Sequence, residues 1–263
     1  MPSEKELSVL RKLRQKKYIV RYGKLLIEGP RFIEDALDSN RRMEKLYFTE
    51  AAGKRYPNII KRAKDKGIKI ERLSAKVLRS ISLLETPQGL AATVSIPPDD
   101  PHLLGKLLKP KKRLSLYLFL DEVQDPGNVG TIIRIADGLW VDCIILSYGC
   151  AGVLNPKTYH SSMGSIFRVN LFDAKDRNSR ELLELFKGEG FKLIGSDAGG
   201  KVLPENTELS DKNILIVGNE GEGVKQELLE LCDTVVGIPA RNESLNVAVS
   251  TGIIIYNLRA RRG

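Results

Sequence analysis

Three polar loops, each after a short apolar run, carry the residues of this sequence whose types and spacing could do chemistry. The first, DPGNVGTIIRIADG at 125–138, places Arg134 inside an apolar helical pattern. The second, GNEGEGV at 218–224, combines glycines with glutamates. The third, ESLNVAV at 243–249, opens a helix with polar side chains. Glycines let backbone groups face a ligand, so these loops are candidates for binding and orienting one.

The first loop does not match a phosphate-binding fingerprint. Gly127 and Gly130 do not complete G-x-G-x-x-G, and the sequence has no Gly-Lys-Ser/Thr triplet. Asn128 is predicted to cap the helix, which puts Arg134 in its second turn. Gly130, Arg134 and Gly138 are four apart, so they share one helical face that a ligand or partner can approach closely. A buried ion pair of Arg134 with a carboxylate from another loop is an equally open interpretation.

The other two loops also lack a triphosphate signature. The second has no basic residue, so a neutral or cationic nucleoside fits it better than a triphosphate; a simple glycine-rich turn is the alternative. In the third, Ser244 is predicted to cap the helix. Asn246 is then a poor helix former in the first turn unless its amide is used. The small residues of 248–252 suit close helix packing, within the chain or across a dimer interface.

Alternating apolar and amphipathic segments predict two α/β domains. Residues 1–96 are predicted to form a small α/β domain, and 97–113, rich in proline and charge, a linker. Residues 114–263 are predicted to form a parallel sheet covered on both faces; the continuous apolar run 114–120 is typical of its strands. Ligands bind at the carboxyl ends of such strands, where the three loops lie.

The net charge of +9 lies entirely in the first hundred residues. Residues 1–100 contain 22 Lys and Arg against 13 Asp and Glu, whereas 101–263 contain 20 of each. This asymmetry favours a polyanion-binding module joined to a neutral one, with a solvated basic surface as the alternative.

The cysteines and the apolar segments restrict the class of protein further. Cys143, Cys150 and Cys232 are too few and too irregularly spaced for a disulfide framework or a zinc site, so we expect reduced thiols in a cytosolic protein and no metal. The apolar stretch GIIIYNL near the C-terminus is far too short to span a bilayer, and we expect no membrane association.

Taken together and in this order, the three loops resemble the three motifs of the SpoU-type RNA 2′-O-ribose methyltransferases, the TrmH family of the SPOUT superfamily. The matching residues are Asn128, Gly130 and Arg134 in the first motif, Gly218, Glu220, Gly221 and Gly223 in the second, and Ile238, Pro239, Ser244, Leu245, Asn246 and Val247 in the third. Ala248 departs from the pattern, because many members carry a second serine there. The resemblance covers 114–260, with looser similarity in LLIEGPRFIEDAL and TPQGLAA of the N-terminal domain.

The resemblance implies a fold and a reaction. The fold is a C-terminal parallel-sheet domain with a deep trefoil knot, preceded by a small α/β substrate-binding domain. The reaction is transfer of a methyl group from S-adenosyl-L-methionine to a ribose 2′-hydroxyl of structured RNA, by a cytoplasmic homodimer. Ribosomal RNA is favoured over transfer RNA by family analogy. A tRNA methyltransferase and a non-catalytic RNA-binding protein on the same fold are the alternatives.

The resemblance also implies roles for individual residues. The cofactor-binding residues are Gly218, Asn219, Ile238 and Leu245; the catalytic residues are Arg134, Asn128, Glu220, Ser244 and Asn246. Family mechanisms make Arg134 the general base. A guanidinium is effectively always protonated, so contact with phosphate and stabilisation of the alkoxide are equally open roles. Glu220 either pairs with Arg134 or supports its own loop. His102 and His160 match no motif.

Overall fold

The chain folds into two units, each built on its own β-sheet. The computed structural model describes residues 2–39, 42–96, 100–111, 114–241 and 245–260. The first unit comprises residues 1–99 and 154–168, and the second unit comprises 100–153 and 169–263.

The first unit has a four-stranded mixed sheet with helices packed around it. Its strands are β1 (Lys24–Glu28), β2 (Met43–Phe48), β3 (Lys69–Arg72) and β4 (Leu90–Ser95), in the order β1-β4-β2-β3. Only the pairing of β2 with β3 is parallel. The helices up to β4 are α1 (Glu4–Lys12), α2 (Lys16–Tyr22), α3 (Pro30–Asp38), α4 (Glu50–Arg55), α5 (Pro57–Asp65) and α6 (Ala75–Ile81).

The second unit has a six-stranded parallel sheet, as predicted from the apolar runs. Its strands are β5 (Ser115–Leu120), β6 (Cys143–Leu146), β7 (Asn170–Asp173), β8 (Lys192–Ser196), β9 (Lys212–Val217) and β10 (Thr234–Val236), in the order β10-β8-β9-β5-β6-β7. The remaining helices are α7 (Leu103–Leu108), α8 (Pro126–Gly138), α9 (Pro156–Ser161), α10 (Ser179–Gly188), α11 (Gln226–Leu229) and α12 (Val247–Ala260), of which α9 belongs to the first unit. Within the described ranges, no helix is long and apolar enough to cross a membrane.

The segment 97–113, predicted to be a linker, contains helix α7. Leu107 of α7 is buried, and its carbonyl accepts a hydrogen bond from the Tyr117 hydroxyl at 2.9 Å. The apolar repeat LLGKLL therefore covers one face of the second sheet next to an aromatic cluster with Phe186 and Phe191. Burial of leucine side chains, rather than the prolines nearby, determines the structure of this part of the segment.

Residues 154–168 belong to the first unit, although the sequence pattern put them in the C-terminal domain. Tyr159 of α9 is fully buried and donates a hydrogen bond to the Leu26 carbonyl of β1 at 3.2 Å. Arg168 donates to the Asp35 carboxylate of α3 at 2.7 Å. These contacts join positions about 133 residues apart in sequence. Local periodicity carries no information about such packing, so the segment could not be assigned from the sequence.

We expect His160 of α9 to make the first unit sensitive to acid. Its ring packs edge-on against Phe32 at 5.8 Å, and its Nε2 atom is buried without a hydrogen-bond partner among the described residues. Burial lowers the pKa of His160 to about 4, below its ordinary 6.5. Between these two pH values the unfolded chain binds the extra proton. The stability that the neutral ring provides is therefore complete above pH 6.5 and is lost as the pH falls towards 4, by up to about 3 kcal/mol.

We expect His160→Phe to flatten this pH dependence, because phenylalanine keeps the ring contacts but takes up no proton. Urea unfolding at pH 7 and pH 5 measures the effect, with the exposed His102→Gln as the matched control. Equal loss of stability at pH 5 in His160→Phe and in the wild type would contradict burial of a neutral imidazole.

Candidate active site

The loops that carry the sequence motifs leave the same edge of the second sheet. Leu120 at the end of β5 pairs with Val217 at the end of β9, and Ser196 at the end of β8 pairs with Val236 of β10. Because all six strands are parallel, their carboxyl ends bring the loops after β5, β8, β9 and β10 to one edge. This edge is the candidate active site.

Helix α8 begins two residues earlier than Asn128. Asp125, not Asn128, is the N-cap: its carboxylate accepts from the Asn128 amide nitrogen at 2.8 Å, and Pro126 occupies the first helical position. The predicted cap was wrong because an Asp-Pro pair directly upstream is the stronger helix start. Asn128 therefore lies in the first turn with its side-chain amide available, and Arg134 lies in the third turn.

The side-chain amide of Asn128 joins all three motif loops. Its Nδ2 donates to Oε1 of Glu220 at 2.6 Å, and its Oδ1 accepts from Nδ2 of Asn246 at 3.0 Å. Asn128 is half-buried, whereas Glu220 and Asn246 are exposed. A single amide can serve a carboxylate and a second amide at once because it has both a donor and an acceptor end. The three loops are therefore held in one arrangement at the sheet edge.

Arg134 takes no part in this hydrogen-bonded group. Its side chain is exposed, and no carboxylate among the described residues pairs with it. Arg134 therefore forms no buried ion pair with a carboxylate of the described residues, and Glu220 binds Asn128. At Gly138, one turn further along the same face, no heavy atom of the described residues outside its own helix backbone lies within 4 Å of where a Cβ would stand. The guanidinium thus stands on an open face, available to an anionic ligand.

The glycine loop after β9 closes tightly on itself. A Cβ on Gly218 would lie 1.9 Å from the carbonyl carbon of Gly223, so no side chain fits there. The backbone N–H and C=O of Asn219 pair with those of Gly223, both at 3.2 Å. The Asn219 side chain accepts from the amide nitrogens of Gly221 at 2.9 Å and Glu222 at 2.7 Å. Asn219 therefore shapes this loop through its side chain.

The third loop leads into α12, which Asn246 caps. Its Oδ1 accepts from the amide nitrogens of Ala248 at 3.0 Å and Val249 at 3.2 Å, so its poor helix propensity is put to use. Ser244, predicted to be the cap and a catalytic residue, lies outside the described residues. Leu245 is exposed at the start of this helix.

A second close approach of two backbones was not predicted from the sequence. A Cβ on Gly200, in the loop after β8, would lie 2.4 Å from the Val236 carbonyl carbon. A Cβ on Gly237 would lie 2.4 Å from the Gly200 carbonyl oxygen. Ile238, a predicted cofactor-binding residue, follows directly and is half-buried. Only glycines at 200 and 237 let the two loops approach this closely beside Ile238.

Asp121 is a further residue that the motifs did not reveal. It follows β5, is 1% exposed, and accepts from the Lys225 amide nitrogen at 3.0 Å. The Lys225 ammonium in turn pairs with Glu122. Burial raises the pKa of the Asp121 carboxyl above its ordinary value. Asp121 fixes the exit of the glycine loop against the end of β5. The sequence shows there an acidic residue directly after an apolar run, which does not by itself reveal that the carboxylate is buried.

A parallel α/β sheet with three polar loops linked at its carboxyl edge defines an α/β enzyme or binding protein whose ligand lies at that edge. The comparisons with known proteins are more specific. Residues 115–256 match the model of the SpoU rRNA Methylase family, and residues 26–99 match that of the RNA 2′-O ribose methyltransferase substrate-binding domain. The chain belongs to the SpoU rRNA methylase family and is an S-adenosyl-L-methionine-dependent RNA methyltransferase.

Individual relatives are similar to this protein over nearly the whole length of the chain. The 23S rRNA (guanosine-2′-O)-methyltransferase RlmP of Bacillus subtilis is 34% identical over 251 residues, which cover 95% of this chain and 94% of the relative. A TrmH-family structure from Porphyromonas gingivalis has a TM-score of 0.80 at 30% identity and covers 99% of both chains. The SpoU methyltransferase AviRb of Streptomyces viridochromogenes, solved with AdoMet, has a TM-score of 0.80 at 25% identity, over 99% of this chain and 98% of that one. The family predicted from the three loops is confirmed.

The residues at the sheet edge fit S-adenosyl-L-methionine. Between 218 and 224 the loop offers glycine backbone and two glutamates, and it contains no basic side chain. Asp197, at the end of β8, adds another exposed carboxylate at this edge. Acidic groups suit a ligand that carries a sulfonium and an ammonium, and they would repel a triphosphate. The absence of a phosphate fingerprint thus agrees with this cofactor.

Proposed function

We propose that this enzyme methylates a ribose 2′-hydroxyl in ribosomal RNA. The observation that carries the proposal is the Asn128 amide, which holds Glu220 of the glycine loop and Asn246 of the third loop beside the helix that carries Arg134. Similarity to RlmP over 95% of the chain favours ribosomal over transfer RNA.

We propose Gly218, Asn219, Ile238 and Leu245 as the residues that hold S-adenosyl-L-methionine, mainly through backbone groups. When bound, this cofactor supplies an electrophilic methyl group on a sulfonium. The glycine loop contributes its shape: no side chain fits at position 218, so the backbone itself forms the wall.

Arg134 would contact the RNA phosphate and stabilise the 2′-oxygen as its proton passes to solvent water; the methyl group would join this oxygen and S-adenosylhomocysteine would leave. A ribose hydroxyl is a weak nucleophile, so negative charge that develops on its oxygen needs a fixed positive neighbour. A guanidinium provides that charge at every physiological pH, whereas it is a poor proton acceptor. Asn128 and Asn246 would keep the loops in register with the ribose, and Glu220 would fix Asn128. Ser244 would bind the substrate through its hydroxyl.

Methyl transfer from labelled S-adenosyl-L-methionine tests this function. We expect incorporation into unmodified 23S ribosomal RNA, located at one ribose by mapping of 2′-O-methyl groups, and none into transfer RNA. Incorporation into transfer RNA alone would show that transfer RNA, and not ribosomal RNA, is the substrate. No incorporation into either RNA, with cofactor binding intact, would favour an RNA-binding role without catalysis.

We also propose that the enzyme is a homodimer built on α12. One face of α12 packs on α8. A Cβ placed on Gly252 would lie 3.4 Å from the Ile135 side chain, so the two helices approach closely there. The opposite face exposes Val249 (52%), Ile253 (36%) and Tyr256 (62%), spaced by four and three residues along the helix. A contiguous apolar helix face of this kind is covered by a second copy of the chain in many symmetric oligomers.

Val249→Glu with Tyr256→Glu is expected to give a monomer, because two charges would have to be buried in the interface. Light scattering after size exclusion measures the mass of each species. Leu185→Glu on α10, an apolar residue exposed to 44%, is the matched control and should leave the mass unchanged. A wild type that is monomeric at micromolar concentration would contradict the proposed dimer.

We further infer the family's deep trefoil knot and a cytoplasmic location. The strand order supports the knot: the chain passes from β9 beyond β8 to the edge strand β10 and then returns as α12 against α8. The cysteines support the location, because all three are free thiols, as a reducing compartment keeps them.

A further inference from the structure

Helix α2 presents an ordered cluster of tyrosines and cations on its exposed side. The rings of Tyr18 and Tyr22 stack with centroids 6.2 Å apart and an interplanar angle of 15°. The Lys17 ammonium lies 4.9 Å from the centroid of Tyr18, and the Arg21 guanidinium 5.9 Å from that of Tyr22. Ile19, on the inner side of the helix, is fully buried and anchors it. We call the outer side the α2 face, formed by Lys16, Lys17, Tyr18, Arg21 and Tyr22.

The chain around the α2 face is rich in positive charge, of which Lys24 is paired with Glu44. Between Glu6 and Glu28 the chain contains seven lysines and arginines and no acidic residue. Within the described part of the chain, no carboxylate pairs with Lys16, Lys17 or Arg21, and all three side chains are exposed. Such a surface attracts a polyanion, and the attraction is strongest at low salt.

Two features separate the α2 face from an ordinary solvated basic surface. Val20, on the same helix, is 59% exposed, so this side carries apolar as well as charged groups. The rings also hold the cations close: a cation within about 6 Å of an aromatic centroid is attracted to the ring face. Flexible lysine and arginine side chains therefore lose less conformational freedom when they bind a ligand.

We propose that the α2 face is an additional RNA contact, in which Lys16, Lys17 and Arg21 bind phosphates and Tyr18 and Tyr22 position these cations. The site lies before residue 26, where the match to the substrate-binding family model begins. The proposal rests on RNA being the substrate, and the phosphate backbone of that RNA supplies the charge that the face complements. The contact reads no base edge, so it adds affinity without choosing the nucleotide that is methylated.

Neutralisation of the cations tests the contact. We expect Lys16→Gln, Lys17→Gln and Arg21→Gln together to weaken binding of an unmodified 23S rRNA transcript by about tenfold or more at moderate salt. The slope of log K against log salt concentration should become shallower by about 2, since each contact with single-stranded phosphate contributes about 0.7. The KM for RNA should rise while kcat at saturating RNA is retained.

A second triple variant controls for the total charge of the protein. Lys61→Gln, Lys64→Gln and Lys76→Gln remove three exposed cations from α5 and α6 of the same unit. Equal losses of RNA affinity in both triple variants would mean that only net charge matters and would overturn the local contact. Unchanged RNA affinity of the α2 variant would also overturn the proposal. This holds even if the variant bound less well to vesicles containing anionic lipid, because the face would then bind membranes and not RNA.

The tyrosines require their own comparison. Tyr18→Leu with Tyr22→Leu removes both rings and should weaken RNA binding about threefold to tenfold, whereas the double Phe variant should bind like the wild type because it keeps both ring faces. Circular dichroism melting verifies that each variant is folded. Wild-type affinity of a folded double Leu variant would remove the positioning role of the rings. If the wild type itself transfers no methyl group to RNA, the proposed function fails; if it does and the α2 variants behave like it, only the α2 contact fails.

Discussion

Arg134→Ala is expected to lower the rate of methyl transfer about 10²–10³-fold, the typical effect of removing one preorganised group that stabilises developing negative charge. The loss should appear in kcat rather than in the binding of cofactor, because Arg134 is exposed and is not part of the group formed by Asn128, Glu220 and Asn246. Since no carboxylate in the described ranges pairs with Arg134, its removal leaves no buried charge unpaired, and the variant should melt within about 2 °C of the wild type.

Single-turnover methylation of a 23S rRNA transcript measures this effect. Arg134→Lys keeps the charge but loses the planar group of donors, so we expect partial activity, between wild type and Ala. Thr131→Ala, at an exposed position of the same helix, is the control and should retain the wild-type rate. Wild-type turnover of Arg134→Ala would remove the residue from the mechanism.

Gly218→Ala is expected to destroy the cofactor site. The new methyl group would overlap the carbonyl carbon of Gly223, 1.9 Å away, and backbone atoms cannot yield as a flexible side chain does. Strand β9 ends directly before Gly218 and pairs with strands on both sides, so the strand cannot shift to make room. We expect a loss of about 3 kcal/mol in the free energy of unfolding, the upper end of the usual cost of overpacking, or insoluble protein, and no binding of S-adenosylhomocysteine.

Gly221→Ala is the matched control for this substitution. A Cβ at position 221 would have as its nearest neighbour the side-chain oxygen of Asn219, at 3.6 Å, which is ordinary contact. Thermal denaturation and titration calorimetry with S-adenosylhomocysteine compare the two variants. Binding of this ligand by Gly218→Ala as tightly as by Gly221→Ala would show that the loop does not depend on a bare backbone at 218.

The sequence predicted the strands of the second sheet well, because continuous apolar runs such as 115–120 have few alternatives to a buried parallel strand. It also identified the three loops that the structure brings to one edge. It did not predict their contacts, since the interactions of Asn128 join positions 92 and 118 residues apart. The prediction of Asn128 as the cap of α8 was wrong, because Asp125 and Asn128 are both cap-forming side chains and the sequence does not show which of them the helix uses.

Other parts of the fold left little trace in the sequence. Helix α2 has only seven residues, too few for a clear amphipathic period, and its half-buried tyrosines and exposed cations could equally belong to a loop. Asp121 looks like an ordinary polar residue after a strand until its burial and its bond to the Lys225 amide are known. The need for glycine at positions 200 and 237 becomes visible only when the structure shows that the two backbones pass close to each other.

The assignment of residues 154–168 to the first unit means that this unit is discontinuous in sequence. A truncation after residue 96 would remove the segment 154–168. Residues 1–96 would then lose the contacts of Leu26 with Tyr159 and of Asp35 with Arg168, and both parts of the chain would expose surface that is packed in the intact protein. A chimera that exchanges RNA recognition between relatives must therefore carry two segments, not one. For the same reason, substitutions in α3 and in 154–168 should co-vary during evolution even though contacting positions such as Asp35 and Arg168 lie 133 residues apart in the chain.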